Sequence, residues 1–147
     1  MKKSTLLILG FMFLFACQKR KDGGNGGLPV TESFNPVGSW FLQATPATFN
    51  DTSCGGNIFG VYSDTVTISL NGAQATLHGF DLDYKGDFSN NTLRVSVTDF
   101  DPILVSTLTD TYELGFQSDH QATGLETWNL RGDLECSGTH KIIATKN

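Results

Sequence analysis

The stretch from Thr65 to His78 constrains this chain more than any other. Thr65-Val66-Thr67-Ile68-Ser69-Leu70 alternates apolar and polar residues, Asn71-Gly72 follows, and Ala73-Gln74-Ala75-Thr76-Leu77-His78 alternates again. A period of two sends successive side chains to opposite faces of a strand. Asn-Gly between two such runs is the strongest short hairpin signal. A two-residue turn there pairs Leu70 with Ala73, Ile68 with Ala75 and Val66 with Leu77. All six apolar side chains then share one face, and turn and pattern together set the register.

A second hairpin follows. Phe80, Leu82, Tyr84 and Phe88 fall on one face, Asn90-Asn91 turns, and Leu93, Val95 and Val97 return on the matching face. In that register Asp87 faces Arg94, a cross-strand ion pair. Further strands are expected at Val37–Ala44, around Ile58–Tyr62, and at Leu108–Gln117, Leu125–Arg131 and Glu135–Thr145. Beyond the first residues, no segment has a convincing 3.6-residue apolar period. About eight short strands in sequence order predict an all-β antiparallel meander. Closure into a barrel removes exposed sheet edges; a two-layer sandwich is the alternative.

The start of the chain is of another kind. Met1-Lys2-Lys3 is basic, and Leu6 to Ala16 is almost wholly apolar. Such a pair reads as a secretory signal; the run is too short for a membrane span, which takes about 20 apolar residues. Leu14-Phe15-Ala16-Cys17 resembles the lipobox of bacterial lipoproteins, with leucine first, a small residue before the cysteine, and Phe15 departing from the usual small or aliphatic residue. The resemblance implies a signal peptide at 1–16, cleavage before Cys17, and lipid on Cys17 as the membrane anchor. Gln18, in place of an aspartate, implies the outer membrane. Lys19-Arg20-Lys21, in place of an acidic run, implies its periplasmic face.

Lipidated Cys17 and the Gly/Asn-rich stretch through residue 35 read as a flexible tether. As a coil, residues 18–35 span roughly 20–25 Å root-mean-square. Residues 36–147 remain for one domain of ordinary size. Loss of Lys2 and Lys3 takes the formal charge from −5 to −7, an acidic balance that argues against a nucleic-acid partner. With Cys17 committed to lipid, Cys54 and Cys136 read as one disulfide in an exported protein. It would tie an early loop to the last strand and contribute roughly 4–5 kcal/mol on the chain-entropy model.

Val37-Gly38-Ser39-Trp40-Phe41-Leu42 resembles the Gly-x-Trp opening of lipocalin-like β-barrels. Late strands carrying Trp128 and Cys136-Ser137-Gly138 are also similar to small lipocalin-like lipoproteins. The resemblance implies a barrel whose first-strand tryptophan closes one end.

Little in the chain points to catalysis. His78, His120 and His140 are scattered and lack ligand spacing, so no metal site is expected. Asp81-Leu82-Asp83-Tyr84-Lys85-Gly86-Asp87 has carboxylates enough for calcium but not the EF-hand pattern, and strand alternation accounts for it. Asp99, Asp101, Glu113 and Glu126 could supply an acid–base pair only if two of them met. Gly-x-Ser-x-Gly and nucleotide-binding fingerprints are absent from the sequence. The expectation is a non-enzymatic protein without a cofactor. Aromatic residues are abundant, and Trp40, Tyr62, Tyr84, Tyr112, Phe116 and Trp128 are the candidates to line a cavity for a small apolar or amphipathic ligand. The alternatives are an interaction or envelope-assembly lipoprotein with a filled core and an unspecified protein partner, and more remotely an envelope hydrolase.

Overall fold

The computed structural model describes residues 32–50, 60–103 and 105–147. Eight strands follow in order: β1 (Gly38–Asn50), β2 (Tyr62–Asn71), β3 (Gln74–Gly79), β4 (Leu82–Ser89), β5 (Thr92–Asp101), β6 (Ser106–Ser118), β7 (Gln121–Gly132) and β8 (Cys136–Lys146). Each pairs antiparallel with the next, and β8 returns to pair with β1, with Leu42 opposite Ala144. The sheet is therefore a closed meander, consistent with the lipocalin-like barrel and not with the sandwich. Closure gives every strand a hydrogen-bonded neighbour on each side, although β1 runs past β2 beyond Ala44 and β5 past β4 beyond Ser96. Of the strand expected around Ile58–Tyr62, Tyr62 begins β2 and residues 51–59 lie outside the described residues.

The first hairpin forms one residue later than its sequence suggests. Asn71 pairs with Gln74, Leu70 with Ala75 and Ile68 with Leu77, so the turn is Gly72-Ala73. Gly72 has φ +63° and Ala73 does not share the positive φ. Glycine at the first central position is the type II′ pattern, which competes with the type I′ reading of Asn-Gly. The shift moves the register by two residues. Ile68, Ala75 and Leu77 therefore stay inward and only Ala73 is lost to the turn. The second hairpin has the expected register, Phe88 opposite Leu93 and Asp87 opposite Arg94. Asn90 and Asn91 both adopt positive φ, as its type I′ turn requires. The ion pair differs: Arg94 Nη2 bonds Glu113 Oε1 at 2.8 Å across β5–β6, rather than Asp87.

Between β3 and β4 the chain turns at Phe80-Asp81, where both residues have positive φ (55° and 61°). Phe80 was expected inside the strand. Left-handed backbone at a bulky residue is strained, and the Phe80 N–H is held by Asp64 Oδ2 at 3.2 Å. On β7, Gly124 lets β6 approach closely, because a Cβ there would collide with the Glu113 carbonyl.

The two ends of the barrel differ. At one lie the hairpin turns β2–β3, β4–β5 and β6–β7, the last two bonded to residues 32–35. Residues 32–35, expected in the tether, pack here. The Phe34 N–H donates to Asn91 Oδ1 at 2.9 Å and the Asn35 N–H to Asp119 Oδ1 at 2.7 Å, while the Phe34 ring rests on the core. Trp40 seals this end. Its indole N–H donates to the Pro36 carbonyl at 2.7 Å, its ring meets Phe116 edge-on at 5.1 Å, and Lys146 Nζ lies 5.5 Å above it. Leu42, Ile68, Leu77, Leu93, Leu114 and Ile142 fill the barrel beneath it. The other end, where β2 and β6 begin and β3 turns into β4, forms a mouth among the described residues.

Candidate ligand cavity at the barrel mouth

Alternation along β6 sends Asp110, Tyr112, Leu114 and Phe116 inward, and along β7 it sends Glu126, Trp128 and Leu130 inward. Register then sets neighbours. Tyr112 lies opposite Glu126, and Glu126 opposite His140 on β8, so one row of polar side chains crosses three strands inside the barrel. Asp110 sits one inward position nearer the mouth, with Leu108 beyond it.

Asp110, Tyr112 and Glu126 form the floor of a cavity of about 420 Å³. Its walls are Phe80, Leu82, Leu108 and the rings of Tyr62 and Tyr84. The Phe80 ring meets Tyr62 edge-on at 5.3 Å and lies parallel to Tyr112 at 6.4 Å, so the strained turn places an aromatic face over the floor. Tyr84 meets Tyr112 edge-on at 5.1 Å.

The phenol protons are all committed. Tyr84 Oη donates to Asp110 Oδ2 at 3.0 Å. Tyr62 Oη donates to Glu126 Oε2. Tyr112 Oη, 2.8 Å from Tyr62 Oη, then donates to Tyr62. His140 Nδ1, from the neighbouring strand, lies 2.8 Å from Glu126 Oε2. Asp110 Oδ1 is buried and accepts no hydrogen bond among the described residues. Glu126 is near enough to bond the Asp110 carboxyl when one of the pair carries a proton.

Electrostatics follow from this crowding. Burial, reinforced by the Glu126 charge, pushes the Asp110 carboxyl up to about 7. Burial also raises Glu126, against the opposing pull of its hydrogen-bonding neighbours, Tyr62 first. Burial and the nearby carboxylates push the phenols of Tyr62, Tyr84 and Tyr112 well above their ordinary value, so all three keep their protons at neutral pH.

Of the six aromatic residues expected to line a cavity, Tyr62, Tyr84 and Tyr112 do so. Trp40 and Phe116 belong to the sealed end. Trp128 packs against Phe49 at 5.8 Å in a separate small cluster with Leu130 and Cys136. Their inward parity was legible, but the end of the barrel each reaches depends on closure and register. Cys17 and Cys54 lie outside the described residues; Cys136 is buried at the start of β8. Asp99 is exposed, and Glu113 is taken by Arg94. His78 bonds Asp83 at 2.6 Å on the outer surface, and His120 lies in the exposed β6–β7 turn. No group of three His, Cys, Asp or Glu residues able to hold a metal occurs among the described residues. Asp110, not singled out from sequence, shares the parity of Tyr112 and Phe116, and that signal would have found it.

A second concavity of about 450 Å³ lies outside the barrel near Asn50, Arg131, Glu135 and Ser137, but its charged residues are exposed. No protein-family model, curated protein or solved structure matches the chain.

Proposed function

We propose that this is an envelope lipoprotein whose barrel binds a small amphipathic molecule in the mouth cavity. The observation that carries the reading is a cavity with apolar and aromatic walls converging on a few buried polar groups. Its volume of about 420 Å³ falls within the common range for small-molecule sites, roughly 300–1,000 Å³. The closed end is filled, so the ligand occupies only the outer part of the barrel. Native mass spectrometry of protein purified from its own membranes tests this. A small-molecule adduct is expected, and it should vanish in Leu108→Trp, which fills the mouth; bare protein in both samples overturns the reading.

Anchoring rests on Cys17 in its lipobox-like setting. A radioactive fatty acid should label the chain, and Cys17→Ala should remove the label. A labelled variant would refute the anchor. Gln18 and the basic cluster support the outer membrane and its periplasmic face. The Cys54–Cys136 disulfide remains part of the proposal, and non-reducing peptide mapping should recover the two as one linked pair. Alkylation of both without prior reduction overturns it.

A protein-interaction role draws on the exposed Phe100, Ile103 and Val105 around the β5–β6 connection. A glycoside hydrolase is not favoured. Its two carboxyls stand at least about 5 Å apart, to leave room for the scissile bond, whereas Asp110 and Glu126 are within hydrogen-bonding reach of each other.

A further inference from the structure

The geometry points to an amine as the ligand's polar head: a protonated primary or secondary ammonium on an apolar body, received by Asp110 and Glu126 under the aromatic walls. This inference rests on the ligand-binding reading and specifies its chemistry. Three observations carry it. The first is hydrogen-bond accounting. The protons of Tyr62, Tyr84 and Tyr112 are all spent on acceptors within the cluster. What the floor still offers is acceptor capacity, above all Asp110 Oδ1, on a residue only 4 % exposed. Once the pair is ionised, a carboxylate or phosphate head would meet those oxygens with no donor between them, while an N–H group supplies the missing one.

The second is charge. Asp64, Asp110 and Glu126 line the cavity, and among the described residues no lysine or arginine lines it. Asp64 is engaged with the backbone N–H groups of Thr65 and Phe80. The negative charge of the cavity thus concentrates on the Asp110–Glu126 pair, of which Glu126 also faces His140 Nδ1 at 2.8 Å and Asp110 has no basic neighbour in the lining; there a cation takes the place of the proton that the pair would otherwise share. The third is the walls. Phe80, Tyr62 and Tyr84 present rings around the floor, and ring faces attract a desolvated cation electrostatically.

Calorimetric titration of the purified chain with three ten-carbon probes tests the inference: decylammonium, decanol and decanoate. Decylammonium is expected to bind at least about tenfold tighter than decanol at pH 8, with decanoate weakest. Asp110→Asn and Glu126→Gln should each reduce decylammonium affinity about tenfold or more while leaving decanol within about twofold. Decanol or decanoate binding as tightly as decylammonium overturns the amine head and leaves the ligand-binding reading standing. Failure of all three to bind saturably overturns the reading on which it rests. Circular dichroism of both variants, expected to match the parent, separates lost recognition from lost folding.

Discussion

Trp40→Ala is expected to destabilise the barrel by about 3–5 kcal/mol, the range for truncating a large buried aromatic. The side chain is fully buried, so the whole indole volume becomes a void unless the closed end collapses. Collapse is opposed from three sides. Phe116 stands edge-on to the ring, Lys146 covers its face, and the Pro36 carbonyl loses its donor. Gly38 just before it has φ +133°, a conformation that favours glycine, so the backbone there has little alternative. Trp40→Phe restores most of the volume but not the hydrogen bond, and should cost roughly 1–2 kcal/mol. Urea unfolding followed by circular dichroism measures both. For a domain of this size the alanine variant should melt roughly 10–25 °C lower. A loss under about 1 kcal/mol in Trp40→Ala would mean that the tryptophan does not seal the end. The mouth cavity lies at the far end, so ligand affinity of the folded fraction should not change.

Much of this fold is legible because a strand's period of two needs only local sequence. Both hairpins, the inward face of each strand and the order of the meander follow from it. The failures are local conflicts of turn chemistry. Asn71-Gly72 favours one turn and Gly72-Ala73 another, and both keep the same face buried, so the apolar pattern cannot decide between them. Phe80-Asp81 is harder to read, since a bulky residue with positive φ contradicts intrinsic preference and is tolerated only where tertiary contacts impose it. The cavity was half visible. Tyr62, Tyr84 and Tyr112 were in view as aromatics, whereas His140 was read only as one of three scattered histidines, although it shares the parity of the buried Ile142 and Ala144. That Asp110 joins Glu126 beneath the tyrosines depends on the β6–β7 register and on closure of the barrel, which no local pattern encodes.

The Asp110–Glu126 pair carries the second large expectation: stability should fall as pH rises from about 4 to 7. In the folded barrel the Asp110 carboxyl is pushed from its ordinary 3.8 up to about 7, first by burial and then by the charge of Glu126. Between those values the folded state holds a proton that the unfolded chain has released. Raising the pH through this window therefore favours unfolding. The contribution is fully present below about 4 and lost above about 7, and for this group alone it amounts to at most roughly 4 kcal/mol. Glu126, also raised by burial, acts in the same direction. The other groups facing the pair are Tyr62, Tyr84 and Tyr112, which stay protonated throughout, with His140 beside Glu126 and Asp64 also lining the cavity. Asp110→Asn keeps an oxygen for Tyr84 and removes the charge. It should flatten the profile, gaining about 1–3 kcal/mol at pH 8 and little at pH 4. Denaturant titrations at pH 4, 6 and 8 decide the matter, and a parent protein more stable at pH 8 than at pH 4 would sink the expectation. A barrel that only had to fold would do better with apolar residues at both positions. A ligand that binds the ionised pair restores stability in proportion to the logarithm of its concentration over Kd. At pH 8 the cationic probe should therefore raise the melting temperature of the parent strongly and that of Asp110→Asn weakly, tying the instability of the pair to what it binds.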